Sequence, residues 1–165
     1  MPRRAAMLML VILSVVLSAC AKPVEYQMGQ PISMGPFTYS ITSASQGKSW
    51  QSAEGPFREI EVRIRVERDA TAPFTDNFTS YFLGRLHIID AAGNRIGTDP
   101  QMTSPTYRAG RSRSEEYLCV FRYSRSLDGV RDFDAIGTTP KDFRLMIDHP
   151  APTGDEPRRA AVQLG

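Results

Sequence analysis

From Glu59 to Arg68 the side chains alternate strictly: Ile60, Val62, Ile64 and Val66 are apolar, and Glu59, Glu61, Arg63, Arg65 and Glu67 are charged. A period of two sends successive side chains to opposite faces, so the stretch predicts a strand with one face in a core and the other in water. On a helix the same residues would scatter around all sides. The mixed charges of the wet face discourage edge-to-edge pairing and read as solvated surface, not as a ligand site. Phe37, Tyr39 and Ile41, alternating with Thr38, Ser40 and Thr42, predict an earlier strand of the same kind. Further strands are expected at Arg85 to Asp90, Arg95 to Thr98, Glu115 to Tyr123, Phe143 to Asp148 and Ala160 to Leu164. The run Asp90-Ala91-Ala92-Gly93-Asn94 separates two of these by a few residues containing glycine, which is a hairpin signal. Ser43 to Pro56 is polar and glycine-punctuated and reads as a loop. Only Thr75 to Phe82 spaces its aromatics in a way that suits a short helical turn.

About seven short strands, polar connections and no long amphipathic helix predict an all-β domain over residues 37–165, an antiparallel β-sandwich of immunoglobulin-like type. The buried tryptophan and paired cysteines of antibody domains are missing, so the analogy is one of architecture. There is no internal repeat, heptad or low-complexity tract.

The N-terminus follows a different pattern. Arg3 and Arg4 precede an unbroken apolar run from Ala5 to Leu17, which stops at Ser18 and Ala19. A positive start, a short apolar centre and small residues make a signal-peptide layout over residues 1–19, and a signal helix that is cleaved. The competing reading, a permanent transmembrane anchor, needs roughly 20 apolar residues to cross about 30 Å of hydrocarbon, and this run is too short. Leu17, Ser18, Ala19 and Cys20 resemble the lipobox of bacterial lipoproteins, in which leucine and two small residues precede the cysteine that takes the lipid. The resemblance implies diacylglycerol on the Cys20 sulfur, with Leu17, Ser18 and Ala19 read by a signal peptidase that cuts before Cys20. Two or more acyl chains hold a protein stably, at about 0.8 kcal/mol per buried methylene. Residues 20–36, with Pro23, Gly29, Pro31, Gly35 and Pro36, read as the lipidated cysteine and a short tether. A disulfide between Cys20 and Cys119 is the other use of two cysteines in an exported chain, and a thioether on Cys20 excludes it.

Removing residues 1–19 from 165 leaves 146, enough for one domain that buries about 70% of its unfolded surface without staples. The whole chain has 20 basic and 18 acidic side chains, and loss of Arg3 and Arg4 leaves it formally neutral, which gives no argument for nucleic acid. Lysine occurs only at Lys22, Lys48 and Lys141. Cys119 alternates with Tyr117, Phe121 and Tyr123, so a packed, inert thiol is expected.

The chemistry-bearing residues are sparse. His87 and His149 are the two histidines, and with Cys20 lipidated no Cys/His cluster has metal-ligand spacing. His87, between Leu86 and Ile88, reads as structural. Asp128, Gly129, Asp132 and Asp134 do not fit the twelve-residue calcium loop. Ser45-Gln46-Gly47-Lys48 spells S-x-x-K, but the companion motifs of those serine enzymes are missing. No cofactor is implied. Two groups remain as candidate binding surfaces: the basic loop Arg108, Arg111 and Arg113, suited to phosphate or carboxylate, and the aromatics Phe74, Phe78, Tyr81 and Phe82, with Trp50 elsewhere, suited to a sugar or an apolar ligand.

The order of stretches resembles the telokin-like lipoprotein domain of bacterial envelopes, related to a secreted mycobacterial immunoprotective antigen. The stretches are Met28 to Ile32 leading to Phe37 to Ile41, then Phe57 to Val66, then Leu86 to Asn94, then Ala109-Gly110 before Cys119-Val120-Phe121. The chain departs from that family at Arg68-Asp69, where an asparagine is usual. The resemblance implies a small envelope sandwich and brings no catalytic residues with it. The expected role is a non-enzymatic interaction or structural module, held to the membrane by lipid on Cys20 and facing an envelope protein or cell-wall component. A small-ligand lipoprotein, for a sugar or an anionic group, is the alternative. Ala21 after the cysteine favours the outer membrane, facing the periplasm, if the organism has one.

Overall fold

The computed structural model describes residues 22–53, 55–70, 84–97, 100–103, 113–124, 136–149, 154 and 157–165. Ten strands lie among them: β1 (Val24–Tyr26), β2 (Ile32–Met34), β3 (Phe37–Ser52), β4 (Gly55–Arg68), β5 (Leu86–Ile89), β6 (Arg95–Ile96), β7 (Gln101–Thr103), β8 (Ser114–Ser124), β9 (Arg144–Asp148) and β10 (Arg159–Gln163). They form two five-stranded sheets, ordered β1-β10-β9-β5-β6 and β2-β3-β4-β8-β7. All pairings are antiparallel except β1 with β10, which run parallel.

The alternation in β4 does what its period requires. Ile60, Val62 and Ile64 are fully buried, and opposite them across β8 stand Phe121, Cys119 and Tyr117. On the other flank Ile41 faces Ile64 and Tyr39 faces Val66. The facing sheet contributes Leu86, Ile88, Leu145, Ile147, Ala160 and Val162 to the same core. The two sheets thus bury one apolar face each against the other, and each large side chain removed from water contributes about 1.5–3 kcal/mol.

Two contacts stitch the layers together. The Tyr39 hydroxyl lies 3.0 Å from Nε2 of His149, just beyond β9. Burial raises the pKa of Tyr39, and nearby Tyr26 adds to the shift, so this hydroxyl keeps its proton. At the other end of the core, Tyr123 meets Phe143 edge-on at 5.7 Å.

The structure corrects the sequence reading in three places. Residues 24–26 and 32–34, read as tether, are β1 and β2, and Ile32 and Met34 are buried. The prolines and glycines of this segment mark turns between short strands, with Gly29 and Gly35 at positive φ. Ser43 to Pro56, read as a loop, is the far half of the β3–β4 hairpin. Two register shifts, between Ile41 and Ser43 and between Gln46 and Ser49, break the alternation there. The third correction is the count of about seven strands. β1, β2 and β7 are additional, each three residues long and too short to show a period. The helical turn expected at Thr75 to Phe82 lies outside the described residues.

Candidate functional site

A cleft of about 630 Å³ lies at one end of the β1-β10-β9-β5-β6 sheet. Three separate pieces of chain build it.

The first is the β5–β6 hairpin turn. Asp90 Oδ1 accepts the Asn94 backbone N–H at 2.8 Å and Oδ2 accepts from Asn94 Nδ2 at 3.1 Å, while Gly93, at φ 85°, lets the backbone close. A short polar side chain that mimics a backbone acceptor is what makes this turn rigid.

The second piece is the 3-10 turn Pro140–Asp142 and its lead-in. Asp142 Oδ2 accepts the Thr139 backbone N–H at 2.9 Å and the Thr139 hydroxyl at 2.7 Å. These hydrogen bonds, the hydroxyl's first, hold the Asp142 carboxyl below the usual carboxylate range, and the Lys141 charge adds to the effect. Gly137 packs so closely here that a Cβ would fall 2.2 Å from that of Asp142. Its carbonyl accepts from the Tyr123 hydroxyl at 3.2 Å, which ties the cleft wall to the core.

The third piece is the C-terminal strand. Gln163 Nε2 donates to the carbonyls of Lys141 at 2.7 Å and Phe143 at 3.0 Å, so the amide braces the turn from below. Beside it Arg144 makes a long contact with Glu25, 3.4 Å, between two half-exposed side chains. Such a pair contributes at most about 1 kcal/mol. The Lys141 ammonium has no hydrogen-bond or salt-bridge partner among the described residues. The cleft therefore joins two carboxylates that are anchored by their own turns, two cations that are loosely held or unpaired, and the amides of Asn94 and Gln163.

A second feature sits on the outer face of the other sheet, along the β3–β4 hairpin. Trp50, which remains 36% exposed, stacks on Phe57 with ring centroids 5.2 Å apart and planes 7° from parallel. The Arg122 guanidinium lies over the indole at 5.1 Å and donates from Nε and Nη2 to Glu59 Oε1, at 3.2 and 2.9 Å. Glu59 is buried there, and its Oε2 accepts the Lys48 backbone N–H at 3.3 Å. Gly47 is necessary to this packing, since a Cβ would fall 2.8 Å from Glu59 Cβ. Ser45 to Lys48, the S-x-x-K stretch, therefore belongs to an irregular strand laid against Glu59.

Of the binding residues expected from sequence, Arg113 is described. Its Nη1 donates to the Asp69 carbonyl at 2.9 Å and its own carbonyl accepts the Arg68 N–H, so it closes the end of the β4–β8 pair. Arg108, Arg111, Phe74, Phe78, Tyr81 and Phe82 lie outside the described residues, as do Leu17, Ser18, Ala19 and Cys20. His87 stands on β5 with Nδ1 4.0 Å from Asp148 Oδ2. Burial pushes the Cys119 thiol up to about 12. Among the described residues no three His, Cys, Asp or Glu side chains gather as a metal site.

The cleft residues were invisible to motif reasoning. Asp90, Lys141 and Gln163 are far apart in sequence, and only the pairing of β10 and β5 with β9 brings them together. The one local signal was the Asp90 to Asn94 hairpin, which marks a turn and says nothing of a ligand. Comparison with family models, with curated proteins and with solved structures gives no match.

Proposed function

We propose that this chain is a lipid-anchored, non-enzymatic envelope protein whose immunoglobulin-like sandwich, akin to the telokin-like envelope domains, serves as an interaction or structural module. The observation that carries the reading is the apolar run Ala5 to Leu17 ending in Leu17-Ser18-Ala19-Cys20. It is too short to span a bilayer and is followed at once by a nucleophile. The start of β1 at Val24 adds a mechanical point. Four residues of extended chain reach at most about 14 Å, so a domain acylated at Cys20 begins close to its membrane. Ala21 after the cysteine favours the outer membrane, where one exists.

The test is expression of the full chain beside Cys20→Ser, followed by detergent phase partition and mass spectrometry. The native chain is expected in the detergent phase, beginning at an acylated Cys20, and the variant in the aqueous phase or with its leader retained. A native chain that keeps Met1, or that partitions into water, would overturn the assignment.

A second reading, a small-ligand binding lipoprotein, is favoured by the 630 Å³ cleft. That volume lies within the range of about 300–1,000 Å³ usual for small-molecule sites.

A further inference from the structure

The cleft points to a particular ligand chemistry, and we propose that it binds a saccharide segment of about two sugar rings through the hydroxyl groups. This rests on the small-ligand reading and narrows it. The volume, about 630 Å³, is far more than a single ion needs. Its charges cancel, Asp90 and Asp142 against Lys141 and Arg144, so no net field selects an anion or a cation. The wholly apolar side chains of the wall are Ala91, Ala92 and Ile136, with no aromatic ring and no leucine, so no continuous apolar slot for an acyl chain is built.

What remains is a dense set of acceptors fixed by their turns beside cationic donors that are free to turn toward a ligand. Asp90, Asn94, Asp142, Gln163 and Arg144 all carry planar polar groups, which suit the paired hydroxyls of a sugar because each hydroxyl both donates and accepts. The acceptors are pre-aimed. Asp142 is held by Thr139 through Oδ2, and Gln163 is held through Nε2, which leaves its Oε1 for a ligand. The donors are Lys141 Nζ, unpaired among the described residues, and Arg144, held by one long contact to Glu25. Groups already oriented by their own turns lose little entropy on binding, and this is what makes a polar cleft productive.

Val24, nearest the lipid attachment point, pairs with Ala160 at one end of the sheet, whereas Arg144, Gln163 and the Asp90 turn lie at the other. The cleft therefore lies at the end of the sheet away from Val24, with Glu25 reaching its rim at Arg144.

The experiment uses the full-length protein in detergent, titrated with chitobiose, cellobiose and maltose and separately with inorganic phosphate. Readouts are saturation-transfer NMR and calorimetry, at low and high sodium chloride. At least one disaccharide is expected to bind, with affinity changed less than twofold by salt and weakened about tenfold in Lys141→Ala and in Arg144→Ala, and unchanged in Lys48→Ala. Both cleft positions are exposed, so these variants keep the fold. Binding of phosphate alone, weakening with salt, would overturn the saccharide assignment and leave the small-ligand reading standing. No binding of any probe would overturn both. Disaccharide binding that survives both cleft variants would remove it from this cleft.

Discussion

Replacing Glu59 by alanine tests whether the outer cluster of the β3–β4 hairpin is held by a charge pair or merely by contact. Glu59 keeps 6% of its side-chain exposure while its partner Arg122 keeps 37%, so the pair lies between two limits. Breaking a fully buried pair costs about 3–5 kcal/mol, and an exposed one at most about 1 kcal/mol. Truncation at Glu59 removes two hydrogen bonds from Arg122 and leaves the Lys48 N–H without its acceptor, but Arg122 can turn back to water. The expected loss is about 2 kcal/mol. Arg122→Ala is expected to cost slightly more, because it leaves a carboxylate in a poorly hydrated position and strips the cation from the Trp50 face. The double variant should cost about 1–1.5 kcal/mol less than the sum of the singles. Trp50 is the sole tryptophan of the chain, so its fluorescence during urea unfolding reports from the cluster itself, while far-ultraviolet circular dichroism follows the sheets. The denaturant dependence should be the same in all four proteins. A coupling energy under about 0.5 kcal/mol would refute the reasoning and reduce the cluster to ordinary surface packing.

Asp142→Ala is expected to cost about 1 kcal/mol near neutral pH. Because the folded carboxyl is held below its ordinary value, the stabilisation is complete above about pH 4 and is lost as pH falls through the folded value, so the gap between native and variant should close in acid urea titrations; a gap that persists at acid pH contradicts this. For Cys119 the sign is opposite: the thiol is pushed up to about 12 from 9.0, so its contribution is intact below pH 9 and lost as pH rises toward 12. Its thiol should react with an aromatic disulfide reagent at pH 8 only as fast as the protein unfolds, and reaction within seconds in the folded state would mean that the β4–β8 core is open.

The all-β class and the main strands were legible from one-dimensional pattern, because an alternating strand such as Glu59 to Arg68 has one stable arrangement when half its side chains must leave water. The hairpin turn at Asp90 to Asn94 was legible too, since its hydrogen bonds are local. What sequence could not decide was anything set by residues distant in the chain. β1, β2 and β7 are strands because a neighbour offers them a ladder, which three residues cannot announce. Glu59 belongs to the wet face by its period, yet Arg122 and the Gly47 bulge cover it. The cleft exists because the Asp90 turn, the Pro140–Asp142 turn and Gln163 gather at one end of one sheet. Periodicity carries the free energy of burial, which is nearly independent of the partner's identity. A site depends on which strand ends are neighbours, and that is settled only when the sheets pair and close on each other.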